Sequence, residues 1–157
     1  MTIKQSVCAN AVVTHAILAV AVMCQDVHAQ WTVTNLHPIE SSGSSALSVS
    51  GAQTVGKAQI GEWDHASLWN CASADWIDLN PSGATFSAAT GSNGAHQVGY
   101  ANANGRTSAS LWNGSADSWI DLSPVGSGSS TAYGASGTQQ VGYAYIRGMN
   151  RASLWNG

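Results

Sequence analysis

One spacing governs this chain from about residue 31 to residue 157. Ala66-Ser67-Leu68-Trp69-Asn70 returns as Ala109-Ser110-Leu111-Trp112-Asn113 and again as Ala152-Ser153-Leu154-Trp155-Asn156, each time 43 residues on. Val55-Gly56 returns as Val98-Gly99 and Val141-Gly142, and Pro38 as Pro81 and Pro124, at the same step. Gly51, Gly94 and Gly137 keep this register, as do Ala46, Ala89 and Ala132. A fixed period without insertion means one supersecondary unit used three times, each copy burying its apolar face against the next. The copies run over about 31–75, 76–118 and 119–157, within one domain at 30–157.

The unit reads as four short strands. Apolar i, i+3, i+4, i+7 patterns do not persist beyond residue 30, whereas short runs rich in Val, Tyr, Trp, Ile and Thr recur between Gly and Ser. In the middle copy the strands fall at about 85–90, 96–101, 107–112 and 119–122. Gly91-Ser92-Asn93-Gly94 reads as the first turn, with glycines where positive φ costs little. Val98 and Tyr100 fall on one face of the second strand and Gly99 on the other. Asn102–Arg106, with its Asn-Gly, reads as a loop, and Pro124 stops the fourth strand.

Four strands in 43 residues is the size of a β-propeller blade. The fold expected is therefore all-β, with tandem four-stranded antiparallel repeats arranged like propeller blades. A stacked β-solenoid is the alternative, although solenoid coils usually have shorter periods. Gly56, Gly99 and Gly142 lie in mid-strand, which suggests close approach of another backbone, as where blades crowd a central axis.

The runs His65-Ala66-Ser67-Leu68-Trp69, Trp76-Ile77-Asp78-Leu79 and Gln97-Val98-Gly99-Tyr100 resemble the bacterial HAF extracellular repeat, a family named for a His-Ala-Phe tripeptide followed shortly by Trp. The likeness covers nearly all of 31–157. Ser67, Ser110 and Ser153 stand where the family has Phe, and the His occurs only in the first copy. The resemblance implies an extracellular, propeller-like repeat protein and no particular activity.

The first thirty residues read as an address. Lys4 precedes an apolar run from about Ala9 to Met23, and small or apolar residues stand at Val27 and Ala29 before Gln30. That is the layout of a secretory signal peptide cleaved after Ala29, and the run is too short and too polar for a membrane span. Secretion to the periplasm or the outside of the cell follows. Cleavage removes Cys8 and Cys24 and leaves Cys71 alone, so no disulfide forms within the mature chain and stability rests on packing. Gly114 and Gly157 occupy the repeat positions of Cys71, which marks it as a loop substitution.

Only 8% of residues are Asp, Glu, Lys or Arg, against about 25% in typical domains. Seven Trp and four Tyr argue against disorder. With a net charge of −3 and no basic run, nucleic acid and anionic lipid are not expected partners.

The blade count poses a difficulty. The segment Trp31-Thr32-Val33-Thr34-Asn35-Leu36 aligns with the fourth-strand motif, and the chain ends on a third-strand motif, Ser153-Leu154-Trp155. Propellers usually have about four to eight blades, and three would leave open edges. Either two chains form a six-bladed ring, each N-terminal strand completing the other's last blade, or the chain is a shortened product of a longer gene. The abrupt end at Asn156-Gly157 favours the second.

No residue set reads as catalytic, cofactor-binding or metal-binding. Gly51-Ala52-Gln53-Thr54-Val55-Gly56-Lys57 has the spacing of a phosphate-binding loop, but Ala58 stands where Ser or Thr should hold magnesium. His37, His65 and His96 occupy different repeat positions, and no His-x-x-x-His or Cys pair supports a metal site. Asp78 and Asp121 recur once per copy, which suits acceptance of loop amides better than a single acid–base pair. Trp69, Trp112 and Trp155 form one ladder and Trp76 and Trp119 another, as packing elements. Trp63, with Arg106 and Met149 at its equivalents, is the aromatic expected to face a ligand. The function expected is a secreted, non-catalytic module that binds a surface polymer, glycan or protein or has a structural role at the cell envelope or outside the cell. A carbohydrate-binding lectin and a polysaccharide-active enzyme fragment are the alternatives.

Overall fold

The computed structural model describes residues 4–5, 27–28, 31–73 and 75–157. The chain divides into two compact units, Met1–Asn35 and Leu36–Gly157. In the first, β1 (Lys4–Gln5) pairs antiparallel with β2 (Val27–His28). The rest of the segment expected to be a signal peptide, with Cys8, Cys24 and the expected cleavage point after Ala29, lies outside the described residues.

The second unit is three antiparallel sheets, none closed into a barrel. The first runs β3 (Gly43–Ser50), β4 (Gln53–Ile60), β5 (Trp63–Asn70), β6 (Trp76–Asp78). The second runs β7 (Ala84–Ser92), β8 (Gln97–Ala103), β9 (Arg106–Trp112), β10 (Ile120–Asp121). The third has β11 (Ser130–Ser136), β12 (Gln139–Ile146) and β13 (Met149–Asn156). Every sheet is a meander in chain order, so hydrogen bonding closes within a stretch of about one 43-residue period. A solenoid would instead continue its sheets from coil to coil. The sheets are one strand out of phase with the sequence blocks, because Trp76–Asp78 pairs with β5, which precedes it.

Successive sheets pack face to face, with β7 against β3, β4 and β5, and β11 against β7, β8 and β9. Val55, Ala66, Leu68 and Leu79 of the first sheet meet Ala89, Ala101 and Trp112 of the second. One period on, Val98, Ala109, Leu111 and Leu122 meet Ala132, Ala135 and Trp155 of the third. The same face of each copy thus supplies Val, Ala and Leu, and the opposite face of the next supplies Ala and Trp. Alternation along each strand separates the two sets.

Hydroxyls join the sheets as well. Ser87 Oγ accepts the Ala66 amide at 2.8 Å and donates to Asn80 Oδ1 at 2.6 Å. Ser130 Oγ accepts the Ala109 amide at 2.8 Å and lies 2.8 Å from Ser123 Oγ. Both serines are fully buried, so each hydroxyl satisfies an amide that no water could reach.

The strand glycines have a different cause from the one expected. In each sheet the first two strands shift register, between Ala46 and Ser48, Ala89 and Gly91, and Ala132 and Gly134. Leu47, Thr90 and Tyr133 are the extra residues of these bulges. The bulge drives a carbonyl oxygen, from Ser45, Ala88 or Thr131, into the space that a Cβ on Gly56, Gly99 or Gly142 would fill. The crowding is therefore within one sheet, not between blades. The glycine pressed against a neighbouring sheet is Gly91, whose added Cβ would lie 2.6 Å from Tyr133 O. Of the two glycines expected at positive φ, only Gly94 has it, at 90°.

The middle copy's first three strands are slightly longer than the pattern suggests, and its fourth, Ile120–Asp121, is shorter. Asn104 and Gly105, at φ 55° and 74°, form a two-residue hairpin turn instead of the longer loop. The segment 31–38 carries no strand. Trp31 and Val33 are exposed, at 78% and 96%. The strict 43-residue step also puts Val33, not Trp31, at the place of Trp76.

Gly99→Ala should lower stability by about 2 kcal/mol or more, because a backbone carbonyl cannot move aside cheaply. Gly43→Ala, where the nearest atom to the new Cβ is Gln59 Oε1 at 3.6 Å, should stay within about 0.5 kcal/mol of the parent. Urea midpoints at constant slope measure both.

Candidate functional site: an aromatic cleft beside the first hairpin

Gly61, at φ 63°, lets the chain reverse between β4 and β5 in two residues, so that Trp63 pairs with Ile60 at the head of β5. Trp63 is 49% exposed. Its ring stacks on Phe86 of β7, centroids 6.1 Å apart and planes 25° apart. Phe86 meets Tyr100 of β8 edge-on at 6.3 Å. The three rings give offset and T-shaped contacts of the kind aromatic quadrupoles favour.

Polar groups converge at the same place. Lys57 Nζ donates to Asp64 Oδ2 at 2.6 Å, both side chains remaining about a third exposed. They are diagonal neighbours, since Gln59 lies opposite Asp64 and Lys57 opposite Ala66. The hydrogen bond to Asp64 raises the Lys57 pKa above its usual value; burial opposes this, and the charges of Asp64 and Tyr100 add to it. Lys57, Gln59, Glu62, Trp63, Asp64, Phe86 and Tyr100 line one cleft of about 530 Å³. A flat ring flanked by fixed donors and acceptors can hold a polar molecule that has one apolar face.

The cleft is built from residues that break the repeat. One period on, Lys57 becomes Tyr100, Trp63 becomes Arg106, Asp64 becomes Thr107 and Phe86 becomes Ser129. Sequence reasoning picked out Trp63 by this signal. It missed Phe86, the chain's one Phe, and the Lys57–Asp64 pair, although both break the register too.

The recurring acids are occupied elsewhere. Asp78 Oδ1 accepts the Asn80 amide at 2.7 Å, and its Oδ2 lies 2.7 Å from His65 Nδ1. Asp121 Oδ1 accepts the Ser123 amide at 2.7 Å, and its Oδ2 accepts from Arg106 at 3.1 Å. One acid position is thus served by a base from different places on the third strand. Each Asp turns the chain into the serine bridge that follows. Burial, the largest influence on Asp121, opposes ionisation. The Ser123 hydroxyl and amide, the Ser108 hydroxyl and the Arg106 charge outweigh it and hold the carboxyl below its usual pKa.

Trp69 and Trp112 are buried, and their Nε1 atoms have no hydrogen-bond partner among the described residues. Trp112 and Trp155 pack between sheets. Trp76 and Trp119 donate to Ser67 Oγ and Ser110 Oγ at 3.0 and 2.8 Å. These are the serines that stand in the Phe place of the resembled repeat. Gly56 and Lys57 of the phosphate-loop spacing lie in β4, not in a loop. Cys71 is an exposed free thiol, 3.1 Å from Thr54 Oγ1. Among the described residues no three His, Cys, Asp or Glu side chains gather into a metal-holding group, and no helix is long and apolar enough to cross a membrane.

Comparison with family models, with curated proteins and with solved structures finds no match for this chain.

Because the folded-state pKa of Asp121 is depressed, its contribution to stability is complete above the ordinary carboxyl value of about 4 and is lost as pH falls through the lowered one. Asp121→Asn should therefore unfold at lower urea than the parent at pH 7. The gap should narrow as pH falls through that lowered value, where the parent carboxyl becomes protonated too.

Proposed function

We propose that this chain is a secreted, non-catalytic β-repeat module that binds a neutral glycan through the cleft at Trp63. The half-exposed Trp63 ring, held on Phe86 beside Lys57, Asp64, Gln59 and Glu62, carries the reading. A sugar presents C–H groups on one face and hydroxyls around its rim. An aromatic platform takes the face, and a ring of charged and amide groups takes the hydroxyls. The carboxylates of Asp78 and Asp121 are engaged with loop amides and basic side chains, which supports a binding role over acid–base chemistry. The leader-like first 29 residues and the likeness to the HAF repeat support an extracellular or periplasmic setting.

Glycan-array screening followed by calorimetry of the purified chain tests this. Binding of a neutral oligosaccharide is expected, competed by free sugar and weakened at least tenfold by Trp63→Ala. Such a drop corresponds to about 1.4 kcal/mol. Binding that Trp63→Ala leaves intact would remove the cleft from the account. Turnover of a polysaccharide that disappears on mutating Asp78 or Asp121 would overturn the non-catalytic reading.

A further inference from the structure

The cleft at Trp63 does not end at the Lys57–Asp64 pair. A second cleft, of about 250 Å³, is lined by Gly43, Ser44 and Ser45 of β3 together with Lys57, Gln59 and Asp64. The last three also line the aromatic cleft, so the two hollows share one wall. The register explains why. Gly43 stands opposite Gln59 and Ser45 opposite Lys57. Gln59 in turn stands opposite Asp64, and Lys57 opposite Ala66. Paired residues, and residues two apart along a strand, project to the same face of a sheet. Ala66 packs into the core shared with the second sheet, so this is the face turned toward that sheet. One groove therefore crosses β5, β4 and β3 in turn.

The two halves differ in chemistry. The half at Trp63 offers the faces and edges of three aromatic rings. The half at β3 has no ring and offers hydroxyls, a carboxamide and backbone. Ser44 Oγ is held by His37 Nδ1 at 2.9 Å. Among the described residues, the Gln59 carboxamide and the Ser45 hydroxyl have no hydrogen-bond partner. Lys57 and Asp64 hold each other at 2.6 Å. An ammonium has three hydrogens and a carboxylate about four lone pairs, so each keeps capacity for a ligand on either side. Gly43 leaves the second cleft open. Its φ lies outside the left-handed range, and a Cβ there would meet only Gln59 Oε1, at 3.6 Å. The backbone thus does not demand glycine at this position, and a longer side chain there would fill the hollow.

We infer that this groove takes a linear neutral oligosaccharide of two or more residues, one ring on Trp63 and the next edge-on over Gln59 and Ser45. The inference rests on the reading of the Trp63 cleft as a glycan site. From β5 to β3 is two strand spacings, about 10 Å, close to the length of two linked pyranose rings. A single sugar occupies the aromatic half and leaves the carboxamide and hydroxyl to water. A chain laid across the strands brings its own hydroxyls to them. The ring on Trp63 supplies apolar contact, and the second ring supplies directed hydrogen bonds that select chain length and linkage.

Calorimetry with the mono-, di- and trisaccharide of one neutral sugar tests this. Affinity of the parent should rise about tenfold or more from monosaccharide to disaccharide. Gly43→Leu should abolish that rise while leaving monosaccharide affinity within about twofold of the parent. Ser45→Leu, at an exposed position of β3, fills the same hollow and should act alike. Circular dichroism and urea midpoints confirm that each variant is folded. Trp63→Ala should weaken every member of the series. Equal affinity for all three sugars, or a length dependence that survives both leucine variants, would overturn the inference and leave the Trp63 site standing. Failure of the folded parent to bind any member of the series would remove the glycan reading, and this inference with it.

Discussion

A sheet of four short strands with two apolar faces cannot persist alone in water; it needs another sheet on each side. Everything in this molecule follows from that constraint. Val55, Leu68 and Leu79 are buried because the second sheet covers them. Their counterparts Val98, Leu111 and Leu122 pack under the third. At Val141 and Leu154 the covering stops and the same residue types become exposed. At about 25 cal/mol per Å² of apolar surface removed from water, each such interface is a large favourable contribution. The two formed interfaces therefore hold three sheets as one compact body.

The polar features are subordinate to that stacking. The run from Asp78 through Asn80 to Ser87 ends on the Ala66 amide, and the run from Asp121 through Ser123 to Ser130 ends on the Ala109 amide. Each ends one strand, steers the chain past a proline and fastens the next sheet to the one before. A buried hydroxyl that satisfies an otherwise stranded amide stabilises by removing a penalty, and it fixes the register of stacking more tightly than apolar contact can. The acids that look most like chemistry are therefore parts of the joint. The aromatic cleft at Trp63 lies where the repeat is broken and no such joint is required.

Much of the scaffold was legible in the residues. Strict periodicity gave the all-β class and the antiparallel sheets of short strands, because each copy sits in nearly the same environment as the next. The mid-strand glycines were recognised as sites of close approach, but the cause was misplaced. Nothing local reveals that Leu47, Thr90 and Tyr133 are extra residues of bulges, since a bulge is defined by two strands at once. The serines at 44, 87 and 130 share the register as plainly as the tryptophans do. They were passed over because a serine in a strand has many bland uses, and only the facing amide gives it one.

The sequence by itself determined the unit: its length, its four strands, its two apolar faces and the positions that must be small. These follow from alternation and period, which are properties of neighbours along the chain. Only the tertiary structure decided which residues act together. It put Trp63 on Phe86 and set Lys57 against Asp64 at the same cleft, and it gave residues 31–38 no strand. The reason is physical. Contacts between sheets depend on the twist and offset of two surfaces, which no single repeat encodes.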